Sequence, residues 1–310
     1  MDFQPLSGRD FPRFSAIKTF FRLPIAPIEE AYDVALFGVP FDGGVSYRPG
    51  TRFAPSKIRE CSSLGRGFHW GRGEQVFAKI KCADIGDCPT VPIDLNQTYA
   101  KVEAFTGQLM QRNKKFVAIG GDHSITLPIL RALNKKFQTP LNFIHFDAHF
   151  DTYPAAWGCE YHHGSFLRHA VEEGLVNPKN TMQIGVRGPL AGGSDLDFIK
   201  HHQINYFSMD DIRKESLGSF LNKLPEFPQG PTYISYDIDN LDPAFAPGTG
   251  TPVPGGLSTF EVQKIMRHLK VKNLVGADIV EVCPAYDHGD ITSLAAVDAL
   301  FEILAIMANS

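Results

Sequence analysis

Three short stretches of this 310-residue chain concentrate aspartate and histidine: Gly120-Gly121-Asp122-His123, Asp147-Ala148-His149-Phe150-Asp151 and Asp237-Ile238-Asp239. Each closes a run of strand-like residues. In an extended strand, residues two apart face the same way. The alternation therefore predicts that Asp147, His149 and Asp151 face one spot, as do Asp237 and Asp239. With His123 the set holds two imidazoles and four carboxylates. So many like charges repel at close range, and two divalent cations would resolve the conflict. The chemistry such a pair supports is hydrolysis by a shared water whose pKa the metals lower.

The elements that must position these groups are legible as strand-like runs bounded by Gly, Pro or Asp: Val34–Val39, Ile80–Ile85, Phe116–Ile119, Leu141–Phe146, Met182–Val186, Ile204–Phe207, Tyr233–Ile238 and Leu274–Val282. Most are nearly continuous in apolar residues, as in strands buried on both faces. Helical patterns lie between them. Residues 96–114 place Tyr99, Val102, Phe105 and Leu109 on one stripe. Ser258-Thr-Phe-Glu261 opens a helix with a capping box, and residues 292–307 are apolar enough all round for a buried final helix. The alternation predicts one α/β domain, helices on both faces of a mainly parallel sheet of about eight strands. Ligands of such sheets collect beyond the carboxyl ends of the strands, where the Asp and His clusters fall.

The chain is 43% hydrophobic and 21% charged, with a net charge of -4 and no sustained charged run. That argues against nucleic acid or an anionic membrane surface as the main partner. There is no basic flank before an apolar run at the N-terminus and no stretch near the roughly 20 apolar residues of a membrane span. The five cysteines (61, 82, 88, 159 and 283) form no C-x-x-C pair, which leaves reduced thiols in a cytoplasm as the expectation.

Gly-Gly-Asp-His-Ser (120–124), Asp-Ala-His-Phe-Asp (147–151) and the long stretch 237–252 resemble the ureohydrolase family, the arginase and agmatinase group of manganese enzymes. Gly-Val-Pro-Phe-Asp (38–42), Tyr-Arg-Pro-Gly (47–50), His163-Gly-Ser and Asp-Ile-Val-Glu-Val (278–282) follow in family order, from about residue 35 to the C-terminus. The resemblance implies a three-layer αβα arginase-like fold, with residues 31–310 as one catalytic domain. It implies an extension, 1–30, packing on that domain or on a neighbouring subunit of a trimer or hexamer. It further implies that His123, Asp147, His149, Asp151, Asp237 and Asp239 hold two Mn2+ ions. His123 and Asp151 would serve one ion and Asp147 and His149 the other, with bridging carboxylates shared. Other divalent ions such as Ni2+ or Co2+ would also suit these donors.

By the same resemblance, Asp151 holds the bridging hydroxide and relays its proton, His163 shuttles protons to the leaving group, and Glu281 receives a guanidinium through paired hydrogen bonds. The implied reaction splits a linear guanidino compound into urea and an amine. The loop 152–162, aromatic rather than rich in the Asn and Ser of arginases, disfavours arginine, and the segments 243–252 and 284–287 resemble agmatinase and its guanidino-acid relatives, so agmatine leads, with 4-guanidinobutyrate, 3-guanidinopropionate and guanidine as alternatives. For the substrate tail, Trp157, Glu160, Tyr161 and Asp287 would suit a cation and Arg48 or Arg187 an anion. The segment Arg66-Gly-Phe-His-Trp70 is a further candidate for the tail pocket. The rival classes are a single-zinc deacetylase-type hydrolase and a non-catalytic metal-binding paralogue.

Overall fold

A computed structural model of the chain describes residues 2–190 and 192–310; Met1, at the start of the expected extension, and Ala191 lie outside the described residues. Among the described residues ten strands form, β1 (Val34–Gly38), β2 (Phe68–His69), β3 (Glu74–Gln75), β4 (Cys82–Asp87), β5 (Lys115–Ile119), β6 (Leu141–Phe146), β7 (Val176–Val186), β8 (Asn205–Ser208), β9 (Thr232–Asp237) and β10 (Leu274–Val280). Eight of them make one sheet in the order β4-β1-β5-β10-β9-β6-β7-β8. Every pairing in it is parallel. All eight expected runs are strands of this sheet. The β2–β3 hairpin carries no alternation long enough to read from sequence.

Successive strand residues divide between two cores. Leu36, Val117, Ile144 and Ile279 join the helices Ala54–Cys61, Thr259–His268 and Ile291–Met307 on one face. Phe37, Phe116, Phe143 and Tyr233 join Leu95–Gln111, Thr126–Phe137 and Phe166–Glu172 on the other. That is a three-layer αβα arrangement, and it explains why these strands read as unbroken apolar runs. Helix starts follow the local chemistry. Asp94 accepts from Gln97 N at 2.8 Å, and Ser258 and Glu261 close a capping box. Phe20 and Phe21, from the N-terminal segment, are buried in the first core, and Ile25 pairs with Asp84 beside β4.

The connection from β5 to β6 skips two places in the sheet, which β9 and β10 later fill. Chain direction around the sheet reverses there, so the carboxyl ends of β5, β10, β9 and β6 stand side by side around a crevice. At this point the backbones touch. Asp122 N donates to Phe41 O at 2.9 Å, and Gly121 O accepts from Glu281 N at 3.0 Å. A Cβ on Gly121 would overlap the Phe41 carbonyl. Gly121→Ala is therefore expected to cost about 3 kcal/mol by forcing these loops apart; a thermal melt within a degree of wild type would refute the close approach.

Candidate metal centre

His123 opens the turn after β5. Its preceding residue, Asp122, is buried and accepts from Gly44 N (2.7 Å) and Ser124 N (2.9 Å), which anchors the turn rather than the cluster. The protonation of the His123 ring follows from a chain of donors. Asp278 is fully buried and takes hydroxyl protons from Thr126, Tyr233 and Ser235 at 2.7–2.8 Å. Ser235 has thus spent its hydrogen on Asp278, so its Oγ accepts from His123 Nε2–H at 2.8 Å. The opposite nitrogen, Nδ1, lies 3.1 Å from Asp151 Oδ2, 3.1 Å from Asp237 Oδ2 and 3.2 Å from Asp147 Oδ2. At these distances the three carboxylates must be offset either by a second proton on Nδ1 or, with the ring neutral and its lone pair turned inward, by a metal cation among them.

A second group adjoins the first. His149 Nδ1 lies 3.0 Å from Asp239 Oδ2 and 3.3 Å from Asp147 Oδ1. Asp147 thus reaches both groups, one carboxylate oxygen to each, rather than belonging to one ion alone. The route to this convergence differs from strand alternation. β6 ends at Phe146, and Asp147–Asp151 is a loop in which His149 N donates to Asp147 Oδ1 at 2.5 Å. Asp151 holds a φ of +52°, sparsely populated for a residue with a Cβ. Asp237 likewise caps a short turn by accepting from Asp239 N at 2.8 Å. The side chains meet because short Asp side chains fold the backbone back on itself, not because the strands continue.

Electrostatics describe the same conflict. Burial, then Asp239 and Asp147, hold Asp237 well above the usual carboxylate range; burial and Asp147 raise Asp239. Burial works against charge on His123 and His149, yet their carboxylate neighbours carry both well above an ordinary histidine. Six oxygen and nitrogen donors with no thiolate, facing inward and short of positive charge, fit two divalent ions. His145 belongs to the cluster and was missed by the motif reading: its Nε2 is 2.8 Å from Asp147 Oδ2. The signal was available, since His145 stands two residues before Asp147 on β6.

Glu281 follows β10 with a φ of +64°. Its Oε1 accepts from His123 N and from His163 Nδ1, both at 2.9 Å, while its buried Oε2 has no partner. His163 Nε2 lies 2.7 Å from Ser46 Oγ and 3.2 Å from Ser46 N. Burial disfavours the charged ring, but Glu281 outweighs it and raises His163 to about 9. The adjacent His162 turns away and donates from Nε2 to Pro154 O at 3.1 Å.

A cleft of about 550 Å3 opens over His149, Asp151, Asp237 and His163, within the usual size for a small-molecule site. Its far wall is Tyr153, Pro154, Ala155, Ala156 and Trp157. Of the tail candidates, only Trp157 lines it. Arg187 instead clasps backbone, donating to the carbonyls of Gly185, Asp239, Asn240, Leu241 and Val253. Asp287 caps the final helix at Thr292 and Ser293. Arg48 lies over the rings of Tyr47 and Tyr286, and Tyr161 packs at a tilt against Tyr99 and His169. Glu160 supplies only its carbonyl, to Ser165 and His169. The 66–70 segment also lies away from the cleft, because β2 is tied to the final helix by His69 Nε2 and Glu302 at 2.9 Å.

The Arginase family model matches residues 32–306. The chain belongs to the arginase family. It is 43% identical to proclavaminate amidinohydrolase of Streptomyces clavuligerus over 94% of each chain. It is 41% identical to guanidinopropionase of Pseudomonas aeruginosa over 99% of this chain and 96% of that one. With agmatinase of Cronobacter sakazakii the figure is 39%, over 93% and 92%. The solved structure of the Streptomyces protein superposes with a TM-score of 0.89, at 42% identity over 96% of this chain and 99% of that one. Membership makes this arginase-family chain a metal-dependent C–N hydrolase. Among the described residues no helix is long and apolar enough to cross a membrane.

The cluster sets a pH dependence. His123 and His149 bind protons more tightly folded than at the ordinary 6.5, and Asp237 and Asp239 more tightly than at 3.8. Their contributions are complete below those ordinary values and vanish as pH rises through the folded ones. Asp147 runs the other way, its contribution vanishing as pH falls below 3.8. The metal-free protein is therefore expected to lose melting temperature as pH rises above 3.8 and, more steeply, above 6.5. Divalent metal at about 100 times its Kd adds about 2.7 kcal/mol per ion and flattens the decline. Calorimetry showing a flat metal-free profile would count against the cluster as described.

Proposed function

We propose that the protein hydrolyses a linear guanidino compound to urea and an amine with two manganese ions held by His123, Asp147, His149, Asp151, Asp237 and Asp239. The observation that carries the reading is a carboxylate-rich donor cluster at a cleft, with a buried, unpartnered carboxylate oxygen on Glu281 directly behind the cleft-lining His163. An oxygen-rich set with few imidazoles suits manganese. Bound there, divalent metal would lower the pKa of a coordinated water and so supply the nucleophile.

The chain's own residues do the rest. Glu281 Oε2 accepts guanidinium N–H groups, while its Oε1 is pinned by His123 N and His163. That places the central carbon over the cluster with its charge paired. Asp151, at the cleft floor, takes the proton of the attacking water. His163 gives a proton to the leaving amine and has a partner in either state. When charged, Nε2–H donates to Ser46 Oγ; when neutral, Nε2 accepts from Ser46 N–H. With its proton held to about 9, it is a general acid at neutral pH.

Agmatine is the substrate we favour, because the wall facing the cluster carries no Lys or Arg among the described residues, while Trp157 offers an exposed ring face to a cationic tail. The guanidinopropionase relative supports a second reading, a guanidino acid. Its identity of 41% is no lower than that of the agmatinase. The family resemblance also supports a cytoplasmic homo-oligomer, trimeric or hexameric, and the exposed Phe14 and Ile17 of the N-terminal segment are apolar surface for such contacts.

Urea release by manganese-loaded protein should be greatest with agmatine in a panel with 4-guanidinobutyrate, 3-guanidinopropionate, arginine and guanidine. A guanidino acid in first place would move the tail assignment, and silence throughout would sink the reading. His163→Asn is expected to lower kcat by about 10^2 to 10^4 with both ions retained. It should also remove the loss of activity that wild type shows as pH rises through about 9, where His163 gives up its proton. An unchanged alkaline limb would exclude His163 as the acid.

A further inference from the structure

His145 sits on β6 beneath the cluster, wholly buried, and takes no part in the chemistry described above. Its Nε2 is 2.8 Å from Asp147 Oδ2, and its Nδ1 is 2.9 Å from Gln183 Nε2, on the neighbouring strand β7. The same Gln183 nitrogen is 3.0 Å from Phe150 O. A carbonyl oxygen only accepts, so the group facing Phe150 must be the amide NH2. That NH2 also faces His145 Nδ1, which must therefore be the accepting nitrogen. The ring hydrogen is left on Nε2, where it donates to Asp147. One backbone carbonyl thus sets the orientation of an amide, the tautomer of an imidazole and the direction of a hydrogen bond to the carboxylate that joins the two donor groups.

We propose that His145 is a positioning residue for the metal centre. Its Nε2–H holds the Asp147 carboxylate so that one oxygen serves the His123 side and the other the His149 side, and Gln183 locks the tautomer in which it can do so. The inference rests on the two-ion reading above. Asp147 Oδ1 is already oriented by His149 N at 2.5 Å. Without His145 the Oδ2 end keeps only His123 Nδ1, itself a lone pair in the tautomer that Ser235 enforces. The carboxylate would then rotate about its last bond, and the two sites would lose their shared ligand. Hydrogen bonds of this kind, one step behind the ligands, are worth about 10- to 100-fold in metal affinity.

The test is manganese(II) binding to the full chain, with bound metal counted by atomic emission after dialysis and apparent Kd taken from electron paramagnetic resonance titration. Wild type should retain two ions. His145→Phe, which keeps the volume but has no donor, should weaken at least one ion by about 10- to 100-fold. Gln183→Met should weaken it by about tenfold through the freed tautomer. His145→Gln places an amide N–H where Nε2–H stands and should stay within about threefold of wild type. Two ions bound at wild-type Kd by His145→Phe or by Gln183→Met would overturn the proposal. So would a loss in His145→Gln equal to that in His145→Phe, which would make the ring a ligand. If His145→Phe does not fold, Gln183→Met and His145→Gln decide by the same criteria. Wild type that retains no metal would overturn the two-ion reading and this inference together, whereas wild type with two ions and indifferent variants overturns the inference alone.

Discussion

Concentrated negative charge in a dry place is the constraint on which this structure turns. Asp147, Asp151, Asp237 and Asp239 are all buried at the ends of adjacent strands, where water cannot screen them and mutual repulsion is strong. Among the described residues no lysine or arginine forms an ion pair with them; Arg187, the nearby cation, spends its hydrogens on backbone carbonyls. The protein commits the Nε2 hydrogen of His123 to Ser235, so that Nδ1 faces the carboxylates and can give up its extra proton to offer a lone pair to a metal. A site so arranged is unstable with respect to an external cation, and that instability is the physical content of metal affinity.

Holding such a site open demands a scaffold that cannot relax. The strands beneath it are covered on both faces, and the hydroxyls of Thr126, Tyr233 and Ser235 are committed to Asp278. Arg187, reaching five carbonyls, ties the loop from Asp239 to Val253 to Gly185 of β7. Two residues at the site, Asp151 and Glu281, keep left-handed backbone angles, which cost about 1–3 kcal/mol each and persist only where surroundings enforce them. Rigidity here keeps like charges from drifting apart.

Much of this was legible in the sequence, for identifiable reasons. Strands buried on both faces are runs of apolar residues, so the sheet's eight members could be read, as could the cap at Ser258. The residue types at the cluster were readable because four aspartates at apolar strand ends have few other uses. Their manner of convergence was not: turns closed by Asp147 and Asp237 depend on backbone angles that no periodicity encodes. Roles that depend on the three-dimensional neighbour were equally hidden. Arg187 and Asp287 look like free charges in a linear chain, and only the folded loops show that carbonyls and helix amides occupy them. His145 lies outside the Asp-x-His-x-Asp motif, although its two-residue spacing from Asp147 obeys the same alternation.

The order of the sheet has a consequence for how the protein is made. Ribosomes deliver β1 through β8 first, yet β9 and β10 occupy the middle. Until β9 emerges at Thr232, the growing chain can form only two half-sheets, β4-β1-β5 and β6-β7-β8, each with a bare inner edge able to pair with other chains. Four of the six ligands are already synthesised at that stage, but they lie on opposite halves with no common wall. The metal centre is the seam between the halves, and it closes only when the last strands made slide into the gap.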